Sequence, residues 1–98
     1  MRSLDETLDV LQTELRTVEA QLSEPDVASD LTRLRDLSRR YKELNEINIA
    51  WLELKSAQDD LVTAREMFND TEGADREAWR EEVNTAEERI VDLEANLE

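Results

Sequence analysis

Cysteine and histidine are absent from this chain. Their absence removes disulfides, thiolate zinc sites, haem ligation by imidazole and every nucleophile activated by a histidine base. One glycine and one proline stand among 98 residues, leaving almost no punctuation for strands or hairpins. No uninterrupted apolar run approaches the ~20 residues that span a bilayer. The start, Met1-Arg2-Ser3-Leu4-Asp5-Glu6, puts two carboxylates where a secretory signal carries its apolar stretch. The expectation is a cytoplasmic chain, without membrane contact, in a reducing compartment. The triplet Asn69-Asp70-Thr71 fits the glycosylation sequon, but in such a chain it reads as a chance match.

What is present in abundance is charge: 39% of residues are charged, and the net charge is −14. The excess is uneven. Residues 1–30 carry −6, residues 31–65 carry +1 and residues 66–98 carry −9. Phosphate-rich duplexes would be repelled by most of this surface, so direct sequence-specific nucleic-acid binding is not expected. One window departs from the trend: Arg33, Arg35, Arg39, Arg40 and Lys42 fall within ten residues that hold a single acid, Asp36. This basic island is the candidate partner contact, for phosphate or an acidic surface. The competing reading is charge balance against an acidic helix alongside.

The other abundant feature is an apolar seam spaced by threes and fours. It runs through Leu4, Leu8, Leu11, Leu15, Val18 and Leu22, then from Leu34 to Phe68, then from Trp79 to Leu97. Such spacing lays a stripe along one helix face, to be buried against another helix. Three helices follow, at about 4–22, 31–68 and 76–97. Ser3 and Glu6 form a capping-box pattern before the first. Ser23-Glu24-Pro25-Asp26 breaks it, and Ser29 or Asp30 caps the second. The middle helix meets no glycine or proline, although the asparagines between Asn45 and Asn48 offer a place to break. Asp75 is the expected cap of the third helix.

Length matching lets the first helix cover the first half of the middle one, and the third cover its second half. The expected fold is therefore all-α: a single domain forming an elongated antiparallel three-helix bundle, or helical hairpins, with coiled-coil-like packing. Trp51 and Trp79 lie on the seam and read as core. Pairs such as Glu81/Glu82 and Glu87/Glu88 lack a concave pocket that would separate their pKa values. Counting back from Gly73 puts Phe68 where an EF-hand needs its first carboxylate. No catalytic residue, cofactor site or metal site is expected, and the residues alone describe a helical interaction module rather than an enzyme.

Particular segments carry a resemblance. Gln21-Leu22-Ser23-Glu24-Pro25-Asp26-Val27 leads through Arg33 into Leu37-Ser38-Arg39-Arg40-Tyr41-Lys42-Glu43-Leu44. This resembles the N-terminal helical domain of bacterial class I peptide chain release factors. There an acidic-Pro-Asp-Val turn precedes a Leu-Ser-basic-any-Tyr-any-any-Leu helix. Trp51-Leu52-Glu53-Leu54-Lys55 looks like that helix continued, and Arg76-Glu77-Ala78-Trp79-Arg80-Glu81-Glu82 like the family's acidic third helix. The turn looks closer to the factor reading UAA and UAG. Asn45-Glu46-Ile47 stands where many relatives have a proline, which favours an unbroken middle helix.

The resemblance implies a role in translation termination, and it implies limits. The family's Gly-Gly-Gln loop cannot exist in a chain with one glycine, and its codon-reading loop is missing too. The chain then looks like a docking domain excised from a larger protein, monomeric and non-catalytic by itself. The implied partners are the ribosome near the large-subunit stalk base, the recycling GTPase, and the methyltransferase that modifies the catalytic glutamine. The alternative is a freestanding acidic coiled-coil adaptor that self-associates or binds a partner helix.

Overall fold

A computed structural model describes residues 3–97, and among them there are helices and turns but no strand. Helix α1 spans Leu4–Leu22. Its first turn is held by the serine half of the expected capping box: Ser3 Oγ accepts the Glu6 backbone N–H at 3.1 Å. Asp5 and Glu6 lie in the same turn, where their charge complements the positive end of the helix dipole. At the other end Ser23 closes the helix, its N–H reaching the Glu19 and Ala20 carbonyls at 3.2 Å.

The Pro-Asp-Val segment is more than a break. It forms a one-turn helix, α2, over Pro25–Ala28. Proline suits the first helical position because the N–H it lacks would have had no partner there. The turn's consequence is Val27, which is 0% exposed while its neighbours Pro25, Asp26 and Ala28 are exposed. A solvated loop is thereby pinned by one apolar side chain.

Helix α3 runs without interruption from Leu31 to Asp70, so the asparagines near its middle do not break it. Asp30 is its cap, with Oδ1 accepting the Arg33 backbone N–H at 3.2 Å. Forty residues at 1.5 Å each make a helix about 60 Å long. Asn48 sits on its seam at 9% exposure, and its Oδ1 has no hydrogen-bond partner. A buried acceptor left so costs about 1–3 kcal/mol.

Helix α4 covers Ala74–Asn96, starting two residues before the point that the spacing predicts. The cap is Gly73 rather than Asp75. Gly73 has φ 76° and ψ −146°, a conformation that only glycine adopts without strain, and it reverses the chain soon enough for Asp75 to fall inside the first turn.

The chain divides into two compact units after Trp51. In the first, Leu15, Val18 and Leu44 form the buried centre, with Leu11, Leu22, Leu37 and Tyr41 packed against it. In the second, the buried side chains are Leu54 and three alanines, Ala57, Ala64 and Ala86. Here α4 lies antiparallel to α3, because Asp60 pairs with Arg89, Arg65 with Glu87, and Phe68 meets Arg76. Each flanking helix thus packs on its own stretch of α3.

Candidate docking surface

The five basic residues of the island are all exposed on the first turns of α3. Helical periodicity separates them into two groups. Arg35, Arg39 and Lys42 recur at i, i+4 and i+7, within about 60° of one another around the axis. They lie opposite the Leu37–Tyr41–Leu44 stripe that packs into the first unit's core. Arg33 and Arg40 instead flank that stripe.

The flanking pair is partly spoken for. Arg40 Nη2 contacts Glu14 Oε2 of α1 at 3.1 Å, so charge balance against an acidic helix accounts for this residue. Both side chains are about half exposed, and an exposed pair of this kind contributes roughly 0.2–1 kcal/mol. Arg33 uses its backbone N–H in the Asp30 cap, and its side chain is exposed. Tyr41, between the two groups, bonds through its hydroxyl to the Glu19 side chain. That bond and the carboxylate's charge hold the phenol pKa above its ordinary value.

The start of α3 is informative. The first turn of α3 carries no acidic residue, and Arg33 lies within it. Cations near a helix N-terminus oppose its dipole, by about 0.3–1 kcal/mol each. Helices α1, α2 and α4 all place acids in their first turns. Local helix stability therefore does not explain why α3 begins with arginines.

In the second unit, the turn between α3 and α4 is locked by Arg76. Its Nε donates to the Phe68 carbonyl at 3.3 Å, and its guanidinium lies 4.1 Å from the Phe68 ring centroid. The hydrogen bond satisfies one of the last carbonyls of α3, which have no partner within the helix. Arg80 covers the same ring at 5.7 Å. Trp79, on the seam of α4, is only half-buried, as is Trp51 in the first unit. Reading both tryptophans as core overlooked that a two-helix pairing covers one side of a large ring. Spacing reveals which face meets a partner helix, not how many helices cover it. The carboxylates Glu81, Glu82, Glu87 and Glu88 are exposed, and Glu87 is engaged by Arg65 at 3.6 Å.

Among the described residues no group of three or more acidic, histidine or cysteine side chains could hold a metal ion, and no helix is long and apolar enough to cross a membrane. Helices presenting charged faces over a thin core define an all-α domain of paired helices. The chain belongs to the PCRF domain family, the release factor family, whose model matches residues 11–98. The match includes the Pro-Asp-Val turn and the whole basic island. No solved structure matches the chain.

Proposed function

We propose that this chain is the N-terminal docking domain of a bacterial peptide chain release factor, of the type that reads UAA and UAG, acting in translation termination in the cytoplasm. It supplies orientation and partner contacts and leaves peptidyl-tRNA hydrolysis to other parts of the factor. Family membership over residues 11–98 supports the release-factor reading. The observation that carries the docking role is the basic stripe, exposed and opposite the core, on a helix whose first turn carries Arg33 and no acid. In a chain of net charge −14, it is the patch suited to an RNA-rich surface such as the ribosome's large-subunit stalk base. The recycling GTPase and the glutamine methyltransferase are further proposed partners.

The docking role is assigned to Arg33, Arg35, Arg39, Arg40 and Lys42, with Arg35, Arg39 and Lys42 expected to dominate because their faces are turned outward. Alanine at these three positions in the full-length factor should slow ribosome association most at low salt. Every side chain that stops touching phosphate should reduce the salt slope by about one. Association rates that match the unmodified factor across the salt range would sink the assignment.

A further inference from the structure

The second unit has two faces beside the α3–α4 seam, and they are treated differently. On one, Phe68 is covered by two guanidinium groups, at 4.1 and 5.7 Å from its ring. Arg65 also lines the cleft there, and both it and Arg80 have a carboxylate partner. The other face is open. Two adjoining clefts of about 390 and 550 Å³ share Trp79 and Glu82. Ala57, Ala64, Met67 and Ala78 supply their apolar floor. Met67 is 39% exposed and Trp79 half-buried, so the floor meets water at these two residues, while Ala57 and Ala64 lie buried at its base.

The rim of this open face is acidic. Asp60, Asp75 and Glu82 border the clefts against one base, Arg89, which is bound to Asp60 at 3.6 Å. The surrounding unit, residues 52–98, holds fifteen acids and five bases.

We propose that the Trp79 groove between α3 and α4 docks a basic amphipathic helix of a partner protein. Three properties select that occupant. The apolar floor follows eleven residues of α3, from Ala57 to Met67, a rise of about 15 Å or three helical turns. Three turns accommodate one apolar stripe spaced i, i+3/i+4, i+7. Tryptophan and methionine form adaptable contact surfaces, and tryptophan is the side chain most often found as a binding hot spot. The acidic rim complements lysines and arginines flanking that stripe, and the tryptophan face attracts the same cations. A nucleic acid would meet repulsion here, which separates this surface from the basic stripe.

The test uses the 98-residue chain and a fluorescein-labelled synthetic helix of about 18 lysines and leucines, with leucines at i, i+3/i+4 and i+7 spacing. A scrambled peptide of the same composition serves as the reference. Anisotropy at physiological salt should show the patterned peptide binding at least about tenfold more tightly than the scrambled one. Trp79→Ala should abolish that difference. Glu82→Lys, at an exposed helix position that leaves folding intact, should weaken binding about fivefold or more. Equal binding of both peptides would reduce the groove to a non-specific acidic surface and overturn the proposal. So would a Glu82→Lys chain that binds normally. Sedimentation showing dimers that Trp79→Ala dissolves would assign the groove to a second copy and likewise overturn it. None of these readouts depends on ribosome association, so their failure leaves the release-factor reading intact.

Discussion

The two units carry the same apolar spacing and make different things of it. Residues 1–51 hold eleven acids and seven bases, and their core is leucine and valine. Residues 52–98 hold fifteen acids and five bases, and three of the four buried apolar side chains there are alanines. In the first unit the seam faces α1, and α2 adds Val27 as a fully buried plug. In the second it faces α4 alone, so Trp79, Val83, Ile90 and Leu93 stay half-buried. Alanines bring two helices close but bury little area, and ion pairs line the edges instead. A seam marks where a helix meets its neighbour. The size of its residues and the number of covering elements set how much stability that packing yields.

The largest effect should come from the leucine core. Leu44 is 2% exposed, and Leu44→Ala deletes buried methyl groups at the centre of the first unit. The expected loss is about 2–5 kcal/mol in urea denaturation. Trp51 and Trp79 report one unit each, so single-tryptophan variants can follow the two separately. A loss below about 1 kcal/mol by the Trp51 signal would mean that the first unit is not held by its core.

The second unit should fail in the opposite direction. Ala57 is 0% exposed, at the buried base of the α3–α4 pairing. Ala57→Leu inserts three carbons where helices meet at alanine distance, with an expected cost of about 1–3 kcal/mol. If that substitution stabilised the chain in thermal unfolding, the alanine packing would be loose and the contrast between the units would collapse.

Much of this was legible in the sequence, for identifiable reasons. The ends of α1 followed from Ser3 and from Pro25, and the continuity of α3 from forty residues without glycine or proline. What escaped was set by backbone conformation or by the number of neighbours. Pro25 ends one helix and begins another, and a breaker reading retains only the first role. Gly73 caps α4 through a positive φ, whereas side-chain capping rules point to Asp75. The basic island was visible as a cluster. Its division into an outward stripe and an Arg40 bound to Glu14 required knowing where α1 lies. The Trp79 groove had no sequence signal of its own, since a seam residue looks the same whether one helix or two cover it.

The smallest expected effect sharpens the comparison from its charged side. Tyr41 rests against the first unit's core, and its hydroxyl is hydrogen-bonded to Glu19. That bond and the carboxylate's negative charge both favour the neutral phenol, so the folded pKa lies above the unfolded value near 10. Raising the pH ionises the unfolded chain first. The folded state then binds more protons than the unfolded state, and stability falls as pH rises. The contribution is fully present below about pH 10 and is lost as the pH climbs through the folded pKa. Tyr41→Phe removes both the hydrogen bond and the titration. Its stability should be slightly lower than the parent's at neutral pH, and the gap should close as the pH rises through the folded pKa. This should appear in the Trp51 signal and be missing from the Trp79 signal, because Glu19 and Tyr41 both belong to the first unit. An alkaline loss reported equally by both tryptophans would show that the long helix between them transmits the change, and that the two units melt as one.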